Sequence, residues 1–514
     1  MNIIPWMVAL PLVGGFVLAL VPKKRRRLAD VLANLVTLAV LILAIAAVTL
    51  GEREVYYIGG WASTVGIVWV LDGLSALILL IVAAVSLAAT LFSVNYMDRY
   101  TSRSKYYGLF LLMLAGMNGV ILTGDMFNLF VFLEVASIAS YALVAFGCER
   151  EELEASFKYA ILGSVASTFV LLGVVVLYTS FGVVNMAHLA SAISGLKDGV
   201  LANTACVFAM MLLVAGLGLK AALVPFHAWL PDAHPAAPAP ISAMLSGVLI
   251  KAIGIYALMR ILYTVFGMPE GVGTVLLVLG ALSMVVGALL AMGQTDMKRM
   301  LAYSSISQVG YIVLALGLGT NDGIAAGLFH LVNHGIFKAL LFLTSGAVVY
   351  RTGTRSLDEM GGLARRMPVT AGASLAGSLA IAGVPPFNGF VSKVWIIVAC
   401  VRAGHFGLAA LAVVVSIITL AYYLRLQRRA FFGALPERWR ALRPVPALMG
   451  AVMVLLAALC LLTSLMILPG PRKALLDPAR DVLARDRRAY IEDVMKGPAE
   501  TTAARPTSPD MEPH

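Results

Sequence analysis

Long apolar runs separated by short polar connections extend over most of the chain. A membrane-spanning helix needs about 20 predominantly apolar residues, and fourteen runs are long enough to be candidates. They cover approximately residues 3–22, 28–50, 70–95, 106–123, 126–147, 158–182, 205–226, 241–264, 272–292, 300–318, 323–350, 369–400, 404–427 and 445–468. The pattern predicts an all-α polytopic membrane protein with about 14 transmembrane helices.

Two of these runs are interrupted by proline within similar tetrapeptides. The seventh contains Val-Pro-Phe-His, with Pro225 and His227, and the twelfth contains Pro-Pro-Phe-Asn, with Pro385 and Pro386, 161 residues later. Proline inside a helix removes a backbone hydrogen bond, and open backbone at membrane depth is tolerated only when it is buried in protein or lines a wet cavity. Paired breaks in corresponding positions are typical of an internally repeated transporter. Two ordinary proline kinks are the alternative.

The composition excludes several classes of protein. The 514 residues are 60% hydrophobic and 13% charged, whereas soluble domains are about 45–50% apolar and about 25% charged. A soluble enzyme, a disordered chain and a disulfide scaffold are therefore excluded. The four cysteines lie far apart without a CxxC pair, so the sequence gives no sign of a disulfide, zinc or iron–sulfur site.

The net charge of +11 is distributed as expected for a membrane protein of fixed orientation. One alternate set of connections holds 21 basic residues, whereas the opposite short connections hold only Arg53, Lys197 and Arg402. Because basic loops face the cytoplasm, we expect both termini outside a bacterial or archaeal cell (inner) membrane. This explanation is simpler than nucleic-acid binding, which would need a basic face in a polar context.

Few ionisable residues lie in the middle of the predicted spans. They are Glu134 in the fifth, Lys220 in the seventh, Lys251 in the eighth, His330, His334 and Lys338 in the eleventh, and Lys393 in the twelfth. An ionisable group at mid-membrane costs about 2.5–3.5 kcal/mol on insertion scales. Each of these residues is therefore a functional hypothesis.

Glu134 has no cation within one helical turn, so its partner must come from another helix, and Lys220 is the natural candidate. An opposite charge favours the ionised carboxylate, whereas separation in a dry site favours protonation. That property would make the pair a switch. A static ion pair that fixes helix packing is the alternative.

The lysines and histidines are candidates for proton transfer. Desolvation disfavours the charged form of an amine, so a lysine held away from water can release its proton near neutral pH. Lys251 could instead snorkel to the interface, which is less plausible for Lys220 beside the proline break. His330, His334 and Lys338 recur every four residues and share one helix face. Histidine exchanges protons near neutral pH, whereas zinc would need further ligands that do not stand out.

Six segments carry a resemblance to a known family. They are FVFLEVASIASYALVAFG (130–147), EASFKYAILGS (154–164), GLGLKAALVPFHAWLPDAHPAAPAPISAMLSGVLIK (216–251), TDMKRMLAYSSISQVGY (295–311), LFHLVNHGIFKALLFLTSG (328–346) and GVPPFNGFVSK (383–393). In combination they resemble the antiporter-like subunits of Mrp-type Na+/H+ antiporters (the D type), respiratory complex I (the N, M and L types) and membrane-bound hydrogenases. The resemblance covers most of residues 70–400.

The resemblance implies an internally repeated architecture. Helices 4–8 and 9–13 would form two inverted five-helix repeats, with helices 7 and 12 broken. The implied division is 1–105 for helices 1–3, 106–264 for the first repeat, 265–430 for the second repeat, 431–468 for helix 14 and 469–514 for a polar C-terminal tail. Within that tail, residues 474–494 are suited to an amphipathic helix.

The resemblance also implies roles for the charged residues. Glu134 would be the helix-5 glutamate, Lys220 its helix-7 partner, Lys251 the central lysine of helix 8, His330, His334 and Lys338 the helix-11 relay, and Lys393 the terminal lysine of helix 12. Pro225, His227, Pro385 and Pro386 would form and support the breaks. The implied mechanism moves protons through this relay, with no catalytic chemistry, cofactor or metal expected in the chain itself.

Several contexts for such a subunit stay open. Lys393 excludes the M type, which carries glutamate there, and the missing long C-terminal extension excludes the L and A types. The D type, from an Mrp-type cation/proton antiporter, is favoured by length. A proton-pumping subunit of a complex I-type NADH:quinone oxidoreductase or of a membrane-bound hydrogenase is the alternative.

The expected partners are other integral membrane subunits, lipid and H+, with Na+ left open. A stand-alone carrier of an organic solute is a rival from another class.

Overall fold

The computed structural model of the chain describes residues 2–51, 53–100, 102–485 and 487–497. Within these residues the helices are α1 Ile4–Leu20, α2 Arg26–Leu50, α3 Gly73–Arg99, α4 Arg103–Leu122, α5 Met126–Val144, α6 Arg150–Phe181, α7 Met186–Ser194, α8 Thr204–Lys220, α9 Leu230–Ala236, α10 Ala239–Val265, α11 Val272–Met292, α12 Met297–Gly317, α13 Asn321–Thr352, α14 Pro368–Ala382, α15 Asn388–Arg402, α16 Phe406–Phe431, α17 Ala447–Ile467, α18 Asp477–Ala484 and α19 Arg487–Met495. Short 3-10 turns join several of them. The prediction of a mostly helical polytopic membrane protein is confirmed.

Eleven helices of the described residues are long and apolar enough to cross a membrane. They are α2 to α6, α10 to α13, α16 and α17, and three shorter apolar helices, α1, α8 and α14, accompany them. The helices α4, α10, α12 and α13 are almost entirely buried, whereas α2, α6, α11, α16 and α17 bury less than half of their apolar window. The protein therefore has a central group of helices enclosed by an outer layer that faces lipid or partner subunits.

Local sequence explains where many of the helices begin. Asp72 caps α3 and accepts a hydrogen bond from the Ser75 backbone, while Asp125, Asp296 and Thr320 cap α5, α12 and α13 in the same way. These side chains satisfy backbone N–H groups that a helix leaves open at its start. Within the bundle, small residues allow close helix contacts, as where Gly310 of α12 meets the backbone of α11.

The loops gather at two opposite ends of the bundle, which we name the basic face and the tail face. The basic face carries the connections rich in lysine and arginine, where Asp296 bridges Ser356. The tail face carries a two-stranded antiparallel hairpin, β1 Glu54–Tyr57 and β2 Val68–Leu71. The sequence pattern did not predict this hairpin, because each strand has only four residues.

The C-terminal segment folds back over the tail face. Helix α18 packs against α3 and α13, and α19 packs against α7 and the last turn of α10. These two helices cover most of the segment for which the sequence predicts an amphipathic helix, and they rest on protein. The rest of the predicted tail, 498–514, lies outside the described residues.

Candidate functional site

The first break lies between α8 and α9. Helix α8 ends at Lys220, and the chain then passes through a cis bond before Pro225. The Val224 N–H donates to Ser283 Oγ at 2.9 Å, and Trp229 Nε1 donates to the carbonyl of Leu219 at 3.0 Å. Side chains from other segments thus satisfy the backbone groups that the break opens. Pro225 itself is exposed and His227 is half-buried.

Glu134 of α5 and Lys220 form an ion pair beside this break. The Lys220 Nζ lies 3.7 Å from Glu134 Oε1, and it donates to Ser137 Oγ at 2.8 Å and to Tyr141 OH at 3.3 Å. Ser167 of α6 donates to the same carboxylate oxygen. The lysine side chain is 2% exposed and the glutamate side chain 27% exposed. The pair is therefore longer than a tight contact, and its acid borders the molecular surface.

Lys251 lies at the centre of the completely buried helix α10. Residues Leu245–Tyr256 of this helix are wound as a π-helix, a form that is rare and often found at functional sites. The Lys251 Nζ donates to the carbonyl of Ser246, and Ser246 Oγ lies 2.7 Å from Ser305 Oγ of α12. Lys251 is 1% exposed, and this burial favours a role inside the protein over the snorkelling alternative.

The three basic residues of α13 are fully buried and differ in their partners. His330 contacts Ser392 Oγ through Nδ1 at 2.9 Å and Gln308 Oε1 through Nε2 at 3.2 Å. Neither ring nitrogen of His334 has a hydrogen-bond partner among the described residues. Lys338 donates to the Leu301 carbonyl at 2.7 Å. The row therefore holds one fixed imidazole, one that is free to exchange partners, and one anchored lysine.

The second break, between α14 and α15, positions Lys393. Gly383 ends α14 with a φ of +82°, and a Cβ there would lie 3.0 Å from the Lys393 Cδ, so only glycine suits this position. Exposed Pro385 and Pro386 follow, joined by a cis bond. The Lys393 Nζ lies 4.8 Å from the centroid of the Tyr311 ring and has no hydrogen-bond partner among the described residues.

The predicted lysines and histidines of the spans are all buried and form a polar layer, without one continuous chain of hydrogen bonds among the described residues. Ser305 of α12 contacts Ser246 on the Lys251 side, Gln308 of α12 contacts His330, and His330 also contacts Ser392, the residue before Lys393. The charges of Lys251, Lys338 and Lys393 all act on His334. In the described part of the chain no direct hydrogen bond or ion pair joins Lys220 to Lys251. A proton can therefore pass between these two lysines only by way of intervening water.

His234 is a buried residue of this layer that the sequence reasoning missed. It is fully buried in α9, its ring stacks on Phe342 with centroids 4.7 Å apart, and neither ring nitrogen has a partner among the described residues. The charges of Lys338, Lys298 and Lys251 act on it. It follows Asp232 in a connection rich in proline and alanine, outside every predicted span, and only its residue type could have drawn attention.

Two cavities at the basic face are lined by Pro235 and Ala236, the residues that follow His234. One of about 300 Å³ is lined by Lys158, Asp232, Asp296 and Arg299 among others. Another of about 490 Å³ is bordered by Lys298, whose Nζ donates to the Ala237 carbonyl at 2.6 Å. Both cavities thus end beside the segment that contains buried His234.

The side chains of this layer are of the types that can exchange protons. Lysine, histidine and glutamate side chains change charge by gaining or losing a proton, and serine and glutamine can bridge them. Among the residues that the structure describes, no group of three or more His, Cys, Asp or Glu could hold a metal ion.

Two family models match the chain. The family described as "NADH:quinone oxidoreductase/Mrp antiporter, TM" matches residues 123–419. The family described as "NADH-Ubiquinone oxidoreductase (complex I), chain 5 N-terminus" matches residues 59–107.

Individual proteins of two kinds are similar to the chain. The N-type subunit of the NADH-quinone oxidoreductase of Desulforudis audaxviator is 41% identical over 420 residues, which cover 79% of this chain and 83% of that protein. The D-type subunit of the Na(+)/H(+) antiporter of Alkalihalophilus pseudofirmus is 35% identical over 437 residues, covering 84% and 87%. A protein in the structure of the Mrp complex from Dietzia sp. superposes with a TM-score of 0.88 at 32% identity, covering 96% of this chain and 99% of that one.

Proposed function

The chain belongs to the family of antiporter-like membrane subunits that Mrp-type Na+/H+ antiporters, respiratory complex I and membrane-bound hydrogenases share, and from this premise we propose that it translocates protons within a multisubunit membrane complex. The observation that carries the proposal is the Glu134–Lys220 pair beside a helix break, at the edge of a buried layer of lysines and histidines. A stand-alone carrier of an organic solute would need a midplane site of varied polar groups instead.

In this proposal a proton enters from the basic face. The cavity of about 490 Å³ gives water access to Lys298, and both this cavity and the one of about 300 Å³ border Pro235, next to His234. From there the proton charges Lys251, and Lys220 by way of intervening water. Both lysines are buried, and desolvation makes an amine ready to pass its proton on.

The Glu134–Lys220 pair acts as the switch. When the two side chains are close, the carboxylate holds the positive charge on Lys220. When they separate, the lysine loses that stabilisation and its proton moves toward Lys251. Because Glu134 is 27% exposed at the surface of the chain, the charge of a neighbouring subunit can pull it away or release it.

The transfer then follows the buried polar layer to the second break, with water bridging the gaps between side chains. Ser305, Gln308 and the imidazoles of His330 and His334 carry the proton between Lys251 and Lys393. Lys393 has no acidic partner among the described residues, so no carboxylate stabilises its protonated form. The proton leaves toward the tail face, and no bond chemistry is required.

The same proposal includes the finer architecture. The eleven long helices and three shorter apolar ones support fourteen crossings, and the two breaks support repeats at helices 4–8 and 9–13 with the division at 105, 264, 430 and 468. The basic loops support a cytoplasmic basic face, with the tail face and both termini outside a bacterial or archaeal cell (inner) membrane.

An Mrp-type cation/proton antiporter is the context that we favour. The D-type antiporter subunit and the protein of the Mrp complex both align along most of their own length, which supports other membrane subunits as partners and exchange of H+ for Na+. The 41% identity to an N-type subunit favours a second candidate, a proton-pumping subunit of a quinone-reducing complex.

The experiment uses the assembled complex in inverted membrane vesicles. A Na+ gradient is imposed and proton movement is followed with a pH-sensitive dye. Glu134→Ala, Lys220→Ala and Lys393→Ala are each expected to abolish proton movement while the complex still assembles. Lys105→Ala, which removes an exposed lysine, serves as the matched control and should transport normally.

Two outcomes would change the proposal. Near-normal transport in all three variants would overturn the relay. Proton movement that needs a quinone and a reductant instead of a Na+ gradient, in a complex that co-purifies with redox subunits, would replace the antiporter by the second candidate.

A further inference from the structure

The tail-face end of α10 carries a buried ion pair that the relay does not use. Arg260 donates to Asp72 through both terminal nitrogens, at 2.7 and 2.9 Å, and the two side chains are only 3% and 2% exposed. The guanidinium also contacts Tyr256 OH at 3.0 Å, and Tyr256 donates to the Ile121 carbonyl. Arg260 therefore stands on the same helix as Lys251, between that lysine and the tail face, and its partner Asp72 caps the start of α3.

The pair cannot carry a proton in the way the buried lysines can. A guanidinium stays protonated in proteins. Burial alone would raise the pKa of the Asp72 carboxyl, but Arg260 outweighs burial and holds that pKa below its ordinary value, so the carboxylate stays ionised. Both groups therefore keep their charges, and neither can take up a proton from Lys251 and release it at the tail face.

The C-terminal helix α19 covers this pair. Tyr490 is buried, and its ring centroid lies 5.8 Å from the Arg260 Cζ. Arg487 donates to the carbonyls of Thr264 and Val265 at 3.1 and 2.7 Å, which fixes α19 to the last turn of α10. Arg53 pairs with Asp493 at 2.8 Å. The tail thus forms a second layer over the ion pair.

Water comes close to the ion pair from the tail face. A cavity of about 630 Å³ is lined by Tyr263 of α10 and by Arg485, Arg487 and Arg488. A separate cavity, which Asp72 borders, has only about 20 Å³, which is space for about one water molecule. The separation between tail-face water and the Lys251 layer therefore depends on the Arg260 pair and the packing around it.

We propose that the Arg260–Asp72 pair, covered by Tyr490, is a charged seal that closes the tail face of the first repeat to protons. A proton on Lys251 then cannot leave straight along α10 and must cross to the second break before it exits. The inference rests on the proposed function, because a seal is needed only where Lys251 is charged from the basic face.

The test measures passive proton leak through the assembled complex in sealed vesicles. A pH gradient is imposed without Na+, the membrane potential is clamped, and the decay of the gradient is followed. In Asp72→Leu/Arg260→Met the charges are replaced together by apolar side chains of similar size, a change that is often tolerated by folding. We expect the leak to rise several-fold.

The matched control replaces another buried aspartate–arginine pair. Asp30 and Arg103 join α2 to α4 at 2.5 Å, away from Lys251, and Asp30→Leu/Arg103→Met should leave the leak at the wild-type level. Adding Lys251→Ala to the seal variant should bring its leak back down, since the proton source is removed. A leak that persists without Lys251, or that the control shares, would mean general loosening and would overturn the seal.

A second variant separates charge from packing. Arg260→Lys keeps the ion pair with Asp72 but can lose its proton, so we expect a leak of intermediate size. Wild-type leak in both Arg260→Lys and the double variant would overturn the proposal. Failure of Na+-driven proton movement in the wild-type complex would instead count against the proposed function, since the leak assay needs no Na+.

Discussion

Lys220 and Lys393 lie beside the two helix breaks, but their electrostatic surroundings differ. Lys220 is the last residue before the first break, 3.7 Å from Glu134 and bonded to Ser137 and Tyr141. Lys393 lies in the first turns after the second break, against the Tyr311 ring, with no acidic partner among the described residues.

Because the two lysines differ in this way, we assign different tasks to the two halves of the protein. The first half is the first repeat, with Lys220, and the second half is the second repeat, with Lys393. A lysine with a carboxylate partner has two states, charged when paired and ready to lose its proton when separated. A buried lysine without such a partner holds a proton only briefly. We infer that the first half controls when a proton moves and that the second half passes it on. The predictions below test this division.

Among the variants that test this division, Glu134→Gln is expected to change the rate of proton movement most. The amide still accepts the hydrogen bond from Ser167 but removes the charge that holds Lys220. We expect Na+-driven proton movement to fall by about tenfold, equivalent to about 1.4 kcal/mol, as is reasonable for a pair that is only partly buried. Vesicle transport rates give the measurement.

Glu134→Asp serves as the matched control for this variant. It keeps the charge one methylene further from Lys220, and its transport should fall between that of wild type and Glu134→Gln. If the glutamine variant transported as fast as wild type, the first half would not contain the switch and the comparison would fail.

A smaller change in the rate of proton movement is expected when either histidine of α13 is replaced, and the two replacements should differ. His334 has no partner among the described residues, whereas both nitrogens of His330 are engaged. His334→Gln should slow proton movement roughly fivefold, less than the about 100-fold typical of a sole proton-transfer group, because lysines flank it. His330→Gln can keep both hydrogen bonds and should have a weaker effect. The reverse order would contradict the assignment of His334 as the mobile carrier.

The smallest effect is expected from Ser167→Ala. It removes one hydrogen bond to the Glu134 carboxylate but leaves Lys220 in place. A bond to a charged group contributes about 1.5–3 kcal/mol, and since water can replace it at this partly exposed site, we expect only about a twofold change in rate. Thr168→Ala on the exposed side of α6 is the control and should behave as wild type. An equal loss in both would point to helix packing.

The sequence was sufficient for the features whose physical cause is local. Proline at Pro225 and Pro386 must open a helix, and both segments are broken in the structure. A lone carboxylate at mid-membrane needs a partner, and the two side chains of Glu134 and Lys220 lie together. The long apolar runs likewise required helices.

Features that depend on packing between distant segments could not be predicted in this way. The lack of an acid beside Lys393 follows from which helices surround it. His234 lies in a connection between spans, and only the fold buries it beside Lys298. The Arg260–Asp72 pair joins residues 188 positions apart, and nothing in either local sequence indicates the other.

The central claim is that the buried lysines act by gaining and losing a proton, and Lys393→Arg tests it most directly. Arginine keeps the charge and much of the volume, but it does not release its proton in a protein. The measurement is Na+-driven proton movement by the purified complex in proteoliposomes. The account predicts movement no faster than in Lys393→Ala. Transport near the wild-type rate would show that a fixed charge at this position is enough, and would contradict the relay.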